Sequence, residues 1–115
     1  MRRLRTLIQA LVLCLVNVTS GDAASFSCTP YFERRVCPEV LICSEPNLSR
    51  LDDVMASLYE DARRRMPTGF STGFRDYQRE WLAKRANCGC NYECLERQYR
   101  SQIEALRRTI NQMNQ

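Results

Sequence analysis

From residue 24 onward the apolar positions recur at spacings of three and four, and no segment alternates with a period of two. Leu48, Leu51, Met55, Leu58 and Ala62 form one such stripe, which predicts a helix opened by Ser44 and Pro46 and closed near Met66. Its stop signals follow in order. Arg63, Arg64 and Arg65 are cations suited to a helix C-terminus, and Pro67 and Gly69 come after them. Residues 67 to 73 read as a loop. Phe74, Tyr77, Trp81 and Leu82 set out the next stripe as far as Asn87, and Leu95, Tyr99, Ile103, Leu106, Ile110 and Met113 set out a final one. The last residues, Asn111 to Gln115, are polar enough to fray. Upstream, Thr29 before Pro30 has the form of an N-cap and a first-turn proline, predicting about two turns over residues 30 to 36, and a further short turn fits residues 38 to 43. The predicted architecture is all-α: a small disulfide-stapled helical bundle with three longer helices plus short N-terminal helical turns. With no repeat, low-complexity tract or long linker, residues 24 to 115 read as a single domain.

The first 23 residues follow another pattern. Arg2, Arg3 and Arg5 precede an apolar stretch from Leu7 to Val16, and small residues lie around Gly21 to Ala24. This is the layout of a cleaved signal peptide, with cleavage expected after Ala23 or Ala24, and its apolar core is too short to span a bilayer. Cys14 lies within that core, not at a small-residue lipidation site. The mature chain is therefore expected to be exported and not inserted in a membrane. Losing the leader removes three arginines and one aspartate, which takes the formal charge from +4 to +2. So small and unclustered a surplus argues against nucleic-acid binding.

Export changes the meaning of the cysteines. Cys28, Cys37 and Cys43 form one cluster and Cys88, Cys90 and Cys94 another, and in an oxidising compartment six cysteines read as a disulfide framework. Six cysteines allow fifteen pairings. Closing the short loops first pairs Cys28 with Cys43 and Cys88 with Cys94, leaving Cys37 and Cys90 to tie the clusters together. The competing reading is a thiolate metal site built on Cys88, Cys90 and Cys94 with Cys37 or Cys43, which export disfavours. No metal or cofactor is expected.

The chain contains no histidine, which removes Ser-His-Asp and Cys-His nucleophiles and His-based zinc sites. Asp52, Asp53, Glu60 and Asp61 could supply a glycosidase-like carboxylate pair, but adjacent helical carboxylates point apart and are usually solvated. The expectation is a non-enzyme. Tyr59, Trp81 and Tyr99 sit at helical spacing and read as core residues with polar tips at the surface, not as a ligand-stacking set. Asp52 and Arg85 lie near the apolar stripes of their helices, where they either pair across the bundle or remain separately solvated.

These residues also carry a resemblance. Phe26-Ser27-Cys28, the run from Leu41 to Leu48 (Leu-Ile-Cys-Ser-Glu-Pro-Asn-Leu), Leu51-Asp52 and Tyr59 resemble the first half of the LprI-type lysozyme-inhibitor family of bacterial exported proteins. Gln78, Trp81-Leu82, Arg85, Cys88, Cys94-Leu95, Tyr99 and Ile103 are similar to its second half in order and spacing. The family's usual pattern has equivalents of Cys28, Cys43, Cys88 and Cys94 but not of Cys37 and Cys90, so this chain departs from it by one extra pair. The resemblance implies a small disulfide-bonded helical protein of the bacterial envelope that inhibits lysozyme-type muramidases.

Lysozyme cuts glycan with two carboxyl groups in a cleft, so an inhibitor can act by inserting a fitting segment and offering donors to them. The segment suited to this is Arg63, Arg64, Arg65, Met66 and Phe70, with Phe70 as an apolar anchor. The alternative for that segment is that Phe70 caps the bundle and the arginines only complement a helix end. The functional expectation is thus a periplasmic inhibitor of lysozyme or a bacterial muramidase. The runner-up is an envelope protein-binding or assembly module that does not inhibit. Glu45, Asp52, Asp53, Glu60 and Asp61 are the acidic residues expected to attract a basic target.

Overall fold

The computed structural model of the chain describes residues 24–115; the expected leader, with Cys14 and Ala23, lies outside the described residues. The described residues form five α-helices and one short 3-10 turn, with no strand among them. Helices α1 (Thr29–Arg34) and α2 (Glu39–Ser44) are short, and α3 (Pro46–Arg65), α4 (Ser71–Asn87) and α5 (Tyr92–Met113) are the long ones. The 3-10 turn, Thr68–Phe70, joins α3 to α4.

Several helix ends differ from the expected ones, each for a local reason. Thr29 is the first residue of α1 and not its cap, because the Cys28 carbonyl already accepts from the amides of Tyr31 and Phe32 at 3.0 and 3.1 Å. Arg35 ends α1 in the left-handed region, at φ 51°. Ser44 closes α2 instead of opening α3, and extended Glu45 precedes Pro46 in the first turn of α3, where a missing amide hydrogen costs nothing. Residues 67 to 73 are not a continuous loop: the Phe70 amide bonds the Pro67 carbonyl at 2.9 Å and α4 begins at Ser71. Gly73 therefore lies inside α4. The turn before α5 bends at Gly89, whose φ of 56° suits glycine, and the Asn91 side chain then caps α5 by accepting from the Cys94 amide at 2.9 Å.

Side-chain pairings give the topology. Tyr59 stacks on Phe74, Gln78 reaches Met55, and Arg85 reaches Asp52, so α3 and α4 form an antiparallel hairpin. Arg85 with Tyr99, Trp81 with Gln98 and Gln78 with Gln102 make α4 and α5 a second one. As a result α3 and α5 run parallel, with Asn47 bonded to Tyr92 at one end and Arg65 to Asn114 at the other. The core fills the space between the three long helices with Leu48, Leu51, Met55, Ala62, Phe74, Trp81, Leu95, Tyr99, Ile103, Leu106 and Ile110. Ile42 adds α2 to it, held in place by the buried Ser49 hydroxyl, which donates to the Ile42 carbonyl at 2.6 Å.

Three disulfides fasten the turns. Cys28–Cys43 ties the start of α1 to α2, with Cα atoms 5.8 Å apart. Cys37–Cys90 joins the α1–α2 connection to the α4–α5 turn at 5.3 Å, and Cys88–Cys94 locks that turn onto the first turn of α5 at 5.5 Å. No helix among the described residues is long and apolar enough to cross a membrane.

Candidate functional site

Three features have the chemistry to act: the tip where α3 meets α4, a buried ionic junction in the bundle, and a cleft beside that junction. The tip holds the residues expected to bind a target. Phe70 is 67% exposed, so it does not cap the bundle, while Met66 packs against the core and leaves the protrusion to Phe70. The arginines divide. Arg63 donates to Glu60 at 2.9 Å, and Arg65 donates to Asp61 at 3.0 Å and to Asn114 at 2.9 Å. Among the described residues the exposed Arg64 makes no ion pair. The tip thus offers one bare aromatic ring and one uncommitted guanidinium.

The junction brings together four residues remote in sequence. Asp52 is fully buried. Its Oδ2 accepts from the Ser25 amide at 2.8 Å and from the Ser25 hydroxyl, and its Oδ1 accepts from Tyr99 at 2.7 Å and from Arg85 Nη1 at 3.3 Å. Arg85 also donates to the Tyr99 oxygen at 3.2 Å, and its guanidinium lies 5.6 Å from the Phe26 ring centre and 6.0 Å from that of Trp81. Asp52 and Arg85 are therefore paired across the bundle and not separately solvated. Asp52 is also lost to the acidic patch expected at the surface, and Glu60 and Asp61 are engaged by arginines of their own helix. With its acceptor sites occupied by four donors, the Asp52 carboxylate is a structural anchor.

Of the residues named from the family pattern, Leu48, Leu51, Gln78, Trp81 and Ile103 are buried, Tyr59 is half-buried at the edge of the core and Leu82 is exposed. The Gln102 side-chain amide donates to Gln78 Oε1 at 3.0 Å, and Tyr77 donates to Gln102 Oε1 at 3.0 Å. Gln102 was not among the expected core residues. Its signal is positional, since it occupies the i+3 site between Tyr99 and Leu106 on the stripe of α5.

Burial pushes the Tyr99 hydroxyl well above the ordinary phenol range; Arg85 opposes the shift and the Asp52 carboxylate adds to it. An unfolded tyrosine loses its proton near pH 10, whereas folded Tyr99 keeps it. The stability this contributes is complete below about pH 10 and is lost as pH rises above it. Urea unfolding between pH 9 and 11 should show that decline, and Tyr99→Phe should flatten it. An equal slope in the variant would assign the decline to other groups.

Beside the junction, a cleft of about 440 Å3 opens between residues 25 and 26, α1, α2, α3 and α4. Phe26, Tyr31, Met55, Tyr59 and Leu82 supply apolar surface, and Glu39, Glu60 and Arg85 are the charged residues lining it. Two buried polar atoms here, Glu39 Oε2 and Arg85 Nε, have no hydrogen-bond partner. Among the described residues no group of three or more His, Cys, Asp or Glu is arranged to hold a metal ion, and the six cysteines beyond residue 23 are paired with one another. Compared with known proteins, the chain matches no family model, no curated protein and no solved structure.

Proposed function

We propose that this protein is an exported, periplasmic inhibitor of lysozyme-type peptidoglycan hydrolases that occludes the glycan-cleaving cleft with its α3–α4 tip. The observation that supports this reading is Phe70, a large aromatic side chain held 67% exposed at the end of a disulfide-braced bundle. An exposed aromatic on a rigid support loses little conformational freedom on binding and fits the anchor role seen at interface hot spots. Arg64 lies in the last turn of α3, six residues before Phe70, and a guanidinium can donate two parallel hydrogen bonds to a carboxylate of the kind that cleaves glycan. Phe70 would fill a sugar subsite while Arg64 engages a catalytic carboxylate, with no chemistry by the inhibitor itself.

Clearing of peptidoglycan suspensions by a c-type lysozyme and by a bacterial muramidase, with increasing amounts of the oxidised chain, tests this. Saturable loss of clearing is expected with at least one enzyme. Phe70→Ala and Arg64→Glu should each weaken that inhibition by about tenfold or more, with the unfolding midpoint unchanged because both side chains are exposed. A folded chain that slows neither enzyme would overturn the proposal and favour a tip that holds another envelope protein without affecting hydrolysis.

A further inference from the structure

The first short helix is the least anchored element of the fold. No residue of α1 is buried, and Phe32 within it and Val36 just beyond it stand exposed. Among the described residues no side-chain hydrogen bond or ion pair joins residues 29 to 36 to the long helices, and the aromatic contact of Tyr31 is with Phe26, edge to face at 5.5 Å. Arg35 closes the helix in the left-handed region, which a residue bearing a Cβ rarely adopts. An element with so few contacts opens at a fraction of the free energy that unfolds the whole chain.

What fixes α1 in place is therefore its bridges, and the three are not equivalent. Cys28–Cys43 closes on itself within the segment that carries α1 and α2, and Cys88–Cys94 lies within the α4–α5 turn. Cys37–Cys90 is the bridge that ties the first segment to the second. It is also the most open to solvent: Cys90 is exposed and Cys37 half-buried, whereas both ends of Cys28–Cys43 are buried, and so is Cys88. Thiol–disulfide exchange requires a thiolate to reach a sulfur, so access sets which bridge reacts first and which of its sulfurs is struck. Both criteria select Cys90.

We propose that Cys90 is a site of thiol exchange and that the Cys37–Cys90 bridge is a latch on α1 which a dithiol reductant opens. One thiolate of the reductant bonds to Cys90 Sγ as the bond to Cys37 breaks, and Cys37 Sγ leaves with the electron pair and takes up a proton. The reductant's second thiolate then attacks its own first sulfur and displaces Cys90, which is protonated in turn. Two cysteines are reduced and the dithiol is oxidised to one disulfide. Residues 29 to 36 are then free to leave the bundle, taking Tyr31 from the wall of the cleft. The three long helices stay packed, because their core includes none of residues 29 to 36 and the bridge acts on stability through the unfolded chain. The latch uses residues separate from the tip, so either proposal can fail without the other.

Timed reduction of the oxidised chain by dithiothreitol, quenched by alkylation and mapped by mass spectrometry, tests the order. Cys37 and Cys90 should be alkylated about tenfold or more faster than the other four cysteines. Glutathione, a monothiol that stops at the mixed disulfide, should be found on Cys90. Hydrogen exchange then tests the consequence. Once the bridge is open, amides of residues 29 to 36 should exchange about tenfold or more faster while those at the centres of α3 and α5 keep their protection. The double variant Cys37→Ser with Cys90→Ser should show the same pattern without reductant. Earlier or simultaneous reduction of Cys88–Cys94, a glutathione adduct on Cys37, unchanged protection of residues 29 to 36, or lost protection throughout α3 and α5 would each overturn the proposal.

Discussion

Replacing Asp52 by alanine is expected to lower the unfolding free energy by about 3 to 5 kcal/mol, read from urea denaturation at neutral pH. The size follows from what remains behind. Arg85, whose side chain is only 12% exposed, would keep its charge without the carboxylate that offsets it, and Tyr99 would lose the acceptor for a buried hydroxyl. An exposed pair such as Arg63–Glu60 is worth about 0 to 1 kcal/mol, so the comparison variant Glu60→Ala should hardly move the curve. Removing both charges with Asp52→Leu and Arg85→Met should recover much of the loss, because a buried ion pair contributes less than its removal by halves suggests. A loss below about 1 kcal/mol for Asp52→Ala would show that water replaces the missing carboxylate.

Serine at both Cys37 and Cys90 is expected to destabilise the chain by about 4 kcal/mol, against about 2 kcal/mol for serine at both Cys88 and Cys94. The two bridges differ in the loop they close, with sequence separations of 53 and 6 residues, and the longer loop restricts the unfolded chain more. For a domain of this size, a loss of 4 kcal/mol is a large part of the stability to be expected. Thermal unfolding of the two double variants, each with its other bridges intact, gives the order directly. If the Cys88–Cys94 variant were the weaker, local ordering of the α4–α5 turn would outweigh loop entropy.

The long helices were legible because a stripe at spacings of three and four is what a buried helix face requires. Leu48, Leu51, Met55 and Ala62, and Leu95 to Ile110, lie in the core as that spacing implies, whereas Leu58 is only partly buried and Tyr77 and Leu82 of the α4 stripe stand exposed. The helix ends were harder to read. Gly73 and Pro67 suggest a loop, yet a 3-10 turn can carry the chain from Pro67 into α4 by Ser71, and a glycine in the first turn of a helix is tolerated when later turns are packed. Ser44 has the composition of a cap, but its hydroxyl bonds the Val40 carbonyl within α2.

The candidate sites were legible to different degrees. Phe70 stands exposed between proline and glycine signals and can be found from sequence. The burial of Asp52 cannot, because it depends on Ser25, Arg85 and Tyr99 arriving from three separate segments. Glu39 is invisible for the same reason: nothing within α2 marks one of its carboxylate oxygens as buried.

That convergence on Asp52 also dictates the order in which the chain can assemble. The helix bearing Asp52 is complete by Arg65, but its partners Arg85 and Tyr99 lie 33 and 47 residues downstream of Asp52. Until both arrive, the carboxylate is better hydrated in water than buried among apolar neighbours. A nascent or truncated chain ending before α5 would therefore hold α3 open at its centre, and closure would come as one late event, not as a stepwise accumulation of helices.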